Sequence, residues 1–224
     1  PFESNPDNPI LTHRNRREHP IQALGHADLV HTPDGWWMVC LGIRPQGGTM
    51  HHLGRETFLT PVTWNENGWP VVNETGTLET IMPAPDLPEH PFKEPPAKDE
   101  FENDTLRLQY NYVRNPVEEN YSLTARPGYL RLKGSPVTMD DQDSPTFIGR
   151  RQADLNCRVS VKLDFDPRAE NEEAGLVLRG NDKNHYDLCV TTRQGRRKVF
   201  CRKTLNAKLT EPVEYYDIPS GPVI

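Results

Sequence analysis

Gly25-His26-Ala27-Asp28-Leu29-Val30-His31-Thr32-Pro33-Asp34-Gly35-Trp36-Trp37-Met38-Val39-Cys40-Leu41-Gly42-Ile43 decides the fold. Two runs rich in β-branched and aromatic residues meet at Pro33-Asp34-Gly35, and an Asp-Gly pair between such runs is a strong hairpin signal. The reading predicts strands over Ala27–Thr32 and Gly35–Ile43. Downstream, Thr57–Trp64 and Trp69–Asn73 are joined across Asn67-Gly68, the second signal of that kind. Four antiparallel strands in chain order match one blade of a β-propeller.

Outward from this blade, proline governs the organisation. The 224-residue chain has 22 Pro, and six of them fall within Ile81–Pro96 (Pro83, Pro85, Pro88, Pro91, Pro95 and Pro96). A stretch without those backbone N–H donors can be neither helix nor central strand, so it reads as a stiff extended connector. Composition changes there too. Residues 1–97 carry 6 Lys+Arg against 12 Asp+Glu, whereas residues 98–224 carry 20 of each; all four Trp and seven of the eight His lie in the first part. The domain reading is a blade region over 1–80, a connector over 81–97 and a second β unit over 98–224.

In the second unit, Leu155–Phe165 alternates without a break and predicts a half-buried strand. Further strands are predicted over Tyr129–Lys133, Ala174–Arg179, His185–Thr192 and Arg197–Arg202, the last two joined across Gln194-Gly195. Many short strands with turn signals and no helical period indicate a β-sandwich. The net charge of −6 gives no footprint for nucleic acid, and no apolar run approaches the roughly 20 residues that span a bilayer. Cys40, Cys157, Cys189 and Cys201 form no CxxC pair and sit in apolar strand patterns, so they are expected reduced and buried, with a Cys189–Cys201 bridge across the hairpin as the alternative.

Up-and-down connectivity places the chemistry. Gly25-His26 and the polar, glycine-rich span Arg44–Arg55 fall at one rim, and the tight turns at the other. Arg55 can bind sugar hydroxyls or a carboxylate, or it can pair with a carboxylate of the blade. His26 can orient a ligand or be a satisfied loop histidine. Asp28 lies two residues after His26 and so is expected to share a strand face with it, and Glu56, which follows Arg55, is expected to point the other way in an extended chain. Asp28 and Glu56 are expected as ion-pair partners rather than as an acid/base couple. His51-His52 is a weak metal pattern, since adjacent side chains diverge. Trp36 and Trp37 face opposite ways, so at least one is core, and either can form a stacking wall. The basic run from Arg193 to Lys203 is read as a solvated face.

These motifs resemble glycoside hydrolase family 43. Gly25-His26-Ala27-Asp28-Leu29-Val30, Asp34-Gly35-Trp36-Trp37, Leu41-Gly42-Ile43-Arg44-Pro45, Leu53-Gly54-Arg55-Glu56-Thr57-Phe58 and Gly68-Trp69-Pro70-Val71-Val72 occur in the family's order. Ser122–Leu132, Gly149-Arg150-Arg151-Gln152 and Glu173-Ala174-Gly175-Leu176-Val177 are similar to the appended sandwich of its β-xylosidase branch. The resemblance implies an all-β chain: the final part of a five-bladed β-propeller, then a lectin-like, concanavalin-type β-sandwich, both expected incomplete. It implies an inverting glycosidase that removes terminal xylosyl or arabinofuranosyl residues from xylo-oligosaccharides. Arg55 would hold the glycone, and His26 would sit at the central channel over an ion or water, calcium being one candidate; no cofactor is required. The base, the general acid and the carboxylate that tunes it match no residue here. They are expected from N-terminal blades, which could belong to another chain, so residues 1–224 alone are expected to be inactive. A non-catalytic carbohydrate-binding or scaffolding β protein is the rival reading.

Overall fold

A computed structural model describes residues 2–210 and 213–224; expectations that touch Pro1, Glu211 or Pro212 lie outside the described residues. The chain divides into two compact units. The first ends at Glu94 and also takes in Gln152–Leu155; the second comprises the rest. No described helix is long and apolar enough to cross a membrane.

In the first unit, β1 (Gln22–Thr32), β2 (Gly35–Ile43), β3 (Glu56–Trp64) and β4 (Pro70–Val72) form one antiparallel sheet in chain order. Both hairpin signals hold. Thr32 pairs with Gly35 around Pro33-Asp34, and Gly68, in the left-handed region at φ 76°, closes the turn from Asn65 to Trp69. Alternation sends Met38, Cys40, Val62 and Val72 to one face, where they pack with Ile21 and Leu78 into a fully buried cluster. Gly42 lies under that cluster. A Cβ there would stand 2.9 Å from both Ile21 Cγ2 and a Phe58 ring carbon, so only glycine fits without a shift. The connector carries no regular element, and its Asp86 N–H donates to Asp34 Oδ2 at 2.6 Å.

His13 closes the cluster from above. It is 2% exposed; its Nδ1–H donates to the Ile21 carbonyl at 2.7 Å, and its Nε2 accepts the Leu78 N–H at 3.1 Å. One imidazole thus satisfies two buried backbone groups far apart in sequence, and only the neutral ring does so. Burial pushes its pKa down from 6.5, and the neighbouring His19 and Arg16 charges push the same way against the Ile21 hydrogen bond.

The second unit is also β, with one short 3₁₀ turn, Glu118–Asn120, among the described residues. Short ribbons pair β5 (Tyr110–Asn111) with β8 (Gly149–Arg150), and β6 (Tyr121–Ser122) with β7 (Arg131–Leu132). The main sheet holds β9 (Ala174–Asn181), β10 (Asn184–Arg193) and β11 (Arg196–Leu205). β12 (Lys208–Leu209) and β13 (Tyr215–Asp217) both pair with β11. Gly175 lies so close to β10 that a Cβ would come within 2.0 Å of the Leu188 carbonyl oxygen.

Several expectations are corrected here. Leu155–Phe165 is not a strand; its one ladder contact is an isolated bridge from Leu163 to Val223, and Cys157, Val159 and Val161 are exposed. Alternation supplies a face, but a strand also needs a partner backbone, and no described strand runs beside this one. All four cysteines are free, and two rather than four are buried, Cys40 and Cys189. Cys189 pairs with Phe200 while Leu188 pairs with Cys201, so the two thiols point to opposite faces and cannot bridge. The basic run is not one solvated face either. Lys198 pairs with Asp217, Arg193 with Glu170, and Arg202 with Asp187 and Glu173, so these charges tie the hairpin to its surroundings.

Burial, together with the Asp187 and Glu173 charges, raises the Cys189 thiol to about 12. Under native conditions a disulfide reagent should therefore label Cys157 and Cys201 and spare Cys40 and Cys189; four fast-reacting thiols would contradict the packing. His13→Ala strands both the Ile21 carbonyl and the Leu78 N–H, and should cost about 2–4 kcal/mol by urea unfolding. Because its folded pKa is depressed, the wild-type histidine contributes stability above pH 6.5 that is lost as pH falls through the folded value. The alanine variant should lack that dependence.

Candidate functional site

The rim of the blade is built by β2. Gly25 of β1 lies opposite Leu41, and Glu56, the first residue of β3, lies opposite Gly42. The chain around His26 and the residue before β3, Arg55, therefore sit at the same end of the sheet, two strand spacings apart, or about 10 Å. The span from Arg44 to Arg55 joins them, with a turn in which Gln46 donates to Met50 and Met50 to Gly47.

One ion pair organises this end. Arg44 reaches Glu56 with two parallel hydrogen bonds, Nε to Oε2 at 2.9 Å and a terminal nitrogen to Oε1 at 2.7 Å. These bonds hold the Glu56 carboxyl below its ordinary 4.5 and raise the Arg44 guanidinium. The pair staples the feet of the loop, and it decides between two readings of Arg55. Glu56, the carboxylate next to Arg55 in the chain, already belongs to Arg44, and Arg55 is exposed with no ion pair or hydrogen bond among the described residues. Glu56, fixed and ionised, is unsuited to act as a general acid.

His26 differs from its expected setting. Register slips occur between Gln22 and Gly25 and again between Gly25 and Asp28, where three steps on β1 match two on β2. The extra residue is a β-bulge, and His26 sits in it at φ 51°, a left-handed conformation uncommon for a residue with a Cβ. His26 and Asp28 thus do not share a face by simple alternation. Asp28 is exposed and takes no ion-pair partner among the described residues, contrary to expectation. Neither tryptophan lines the rim. Trp37 is buried, and Trp36 pairs with His31 and stacks edge-on with Trp64 at 5.5 Å, six residues or about 20 Å along β2 from Gly42.

His51 and His52 are exposed in the loop, and no group of three or more His, Cys, Asp or Glu side chains among the described residues is placed to hold a metal ion. A cleft of about 350 Å³ between the N-terminal segment and β4 includes neither His26 nor Arg55. His26 and Arg55 are both exposed.

Two features escaped the sequence reading. Arg44 was quoted only as part of a motif, although an arginine and a glutamate flanking one hairpin loop are a signal for a staple. In the second unit His185 and Asp187, alternating with Tyr186 and Leu188, mark a polar face on β10. His185, fully buried, lies between Asp187 at 2.7 Å and Asp140 at 3.0 Å.

Residues 1–70 match the glycosyl hydrolases family 43, and residues 98–224 match the concanavalin A-like domain at the C-terminus of β-xylosidases. The chain belongs to glycoside hydrolase family 43. A non-reducing end α-L-arabinofuranosidase of Bacteroides ovatus is 52% identical over 212 residues, which cover 94% of this chain and 40% of that protein. A β-xylosidase of Bacillus subtilis is 35% identical over 85% of this chain and 38% of its own length. Among solved structures, a family 43 protein from the xyloglucan locus of B. ovatus superposes with a TM-score of 0.91 at 50% identity, over 99% of this chain and 44% of that one. The xylan β-1,4-xylosidase of Bacillus halodurans gives 0.85 at 33% identity, over 100% and 42%. This family 43 chain is therefore all-β, with part of a propeller followed by a concanavalin A-like unit, and it spans about 40% of the relatives it matches.

The staple makes a measurable claim. Arg44→Met and Glu56→Gln should couple by about 0.5–1 kcal/mol in a double-mutant cycle, solvent screening keeping the value low. Glu56 has a depressed pKa, so this coupling should be present above pH 4.5 and disappear as pH falls through the folded value.

Proposed function

We propose that this chain supplies one wall of the glycone pocket in a family 43 glycosidase that releases terminal xylosyl or arabinofuranosyl residues from xylo-oligosaccharides. The observation that carries the reading is the unpaired Arg55 guanidinium, freed because Arg44 occupies Glu56. Its planar fork of five N–H donors suits the vicinal hydroxyls of a pentose. His26 supports it from β1. A non-glycine residue in a left-handed bulge is strained, and such strain gathers at binding sites.

Inverting hydrolysis requires a protonated acid at the leaving oxygen and an ionised base activating water on the opposite face, about 6.5–9.5 Å apart. Among the described residues no pair of carboxylates on this rim meets that requirement: Glu56 is neutralised by Arg44, and Asp28 has no ion-pair partner. We assign the acid and base to polypeptide of the kind the longer relatives carry beyond the matched 40%. Arg55 binds and orients the sugar so that its anomeric carbon faces those carboxylates.

A chimera tests this. Residues 1–224 replace the matching segment of the B. ovatus relative, and aryl α-L-arabinofuranoside and aryl β-D-xyloside are the substrates. The chimera should turn over at least one of them, and Arg55→Ala in it should lose about 10- to 100-fold in kcat/KM, the worth of hydrogen bonds from a charged donor. The 224-residue chain alone should hydrolyse neither. Turnover by that chain, free of other polypeptide, would place an acid and a base within it and overturn the proposal.

A further inference from the structure

Residues 155–165 alternate apolar and polar side chains without a break, yet this segment stands almost without partners. From Cys157 to Lys162 the chain makes no turn, bend or ladder. Among the described residues, no backbone N–H or carbonyl from Asn156 to Lys162 has a hydrogen-bond partner. Cys157, Val159 and Val161 are exposed, Val159 by 67%. A row of open donors and acceptors that carries apolar side chains at every second position is a template for another strand.

One contact fixes where that strand enters. Leu163 and Val223 form an antiparallel bridge and exchange both hydrogen bonds: the Leu163 N–H donates to the Val223 carbonyl at 2.8 Å, and the Val223 N–H to the Leu163 carbonyl at 3.0 Å. In an antiparallel ladder, the next pair that exchanges both bonds lies two residues further along each strand. A chain that goes on past Val223 in this direction runs back along the segment from Lys162 toward Leu155. The second, fourth and sixth residues after Val223 fall opposite Val161, Val159 and Cys157.

We propose that residues 155–165 are a docking edge for one antiparallel strand that follows directly on Ile224 and carries apolar residues opposite Val161, Val159 and Cys157. The bridge is the first rung of that ladder, so the two strands are already closed into one loop and further pairing adds little closure entropy. A slip of one residue would break the bridge and turn the apolar residues of the new strand toward the face of Arg158, Ser160 and Lys162. A second copy of this chain fits the place less well, because a strand pairing along the whole edge would meet Val223 at Leu163. This chain spans about 40% of its relatives, whose further polypeptide is a source of such a strand. The inference is independent of the glycone wall.

The test is amide hydrogen exchange, residue by residue, on three forms of the chain. The first is residues 1–224. The second carries eight further residues after Ile224, with valine at the first, third and fifth and threonine or lysine between them. The third has proline at the first and third of those positions. In the 224-residue chain, Cys157, Val159 and Val161 should exchange at close to free-peptide rates. The valine extension should slow these three amides about 10-fold or more and leave Arg158, Ser160 and Lys162 unslowed, because alternate N–H groups point to opposite edges of a strand. The proline extension lacks two of the donors and should restore fast exchange. Slow exchange already present in residues 1–224, as pairing between copies would give, overturns the proposal. So does protection that is absent, that falls equally on odd and even residues, or that survives the prolines.

Discussion

Everything functional in the first unit depends on the register of β2 between its neighbours. The hairpin at Pro33-Asp34 and the turn from Asn65 to Trp69 are tight and lie at one end of the sheet. The longer connections are forced to the other end. Slipping β2 by one residue would send Met38 and Cys40 out of the core and lift Gly42 from beneath Ile21 and Phe58. Core and rim are thus specified together: the packing that buries the sheet also aligns Arg55 with the bulge at His26.

Competition for one carboxylate then shapes the chemistry of that rim. Two arginines flank the loop and one glutamate lies between strand and loop. The bidentate pair engages both oxygens of Glu56 with one guanidinium. Arg44 holds it because it directly follows β2, the strand that pairs with the one Glu56 begins. The losing arginine stays solvated and available, which a binding residue needs, since a donor already paired must break that bond before it can hold a substrate.

The second unit reverses the usual economy of a sheet. The face of β10 and β11 that carries His185, Asp187, Thr191, Arg202 and Thr204 is the buried one, while Leu178, Leu188 and Tyr216 stand exposed on the other. Burial of so many polar groups is tolerable because they satisfy one another: Asp140, His185, Asp187, Arg202 and Glu173 form a continuous chain of charge-assisted hydrogen bonds.

The sequence alone determined the strand order of the blade and most of its boundaries. Asp34-Gly35, Asn67-Gly68, Gln194-Gly195 and the proline run act locally, through backbone angles and missing donors, and local effects are written in adjacent residues. The resemblance to family 43 was legible for the same reason, as ordered short motifs. What only the tertiary structure decided involves partners distant in sequence. The bulge that turns His26 needs β2 beside it, and the capture of Glu56 by Arg44 needs two strands in register. Leu155–Phe165 failed as a strand because alternation cannot provide a neighbour. The polar burial on β10 depends on Asp140 and Arg202 arriving from other elements, since a hydrogen bond needs two ends and the sequence shows only one at a time.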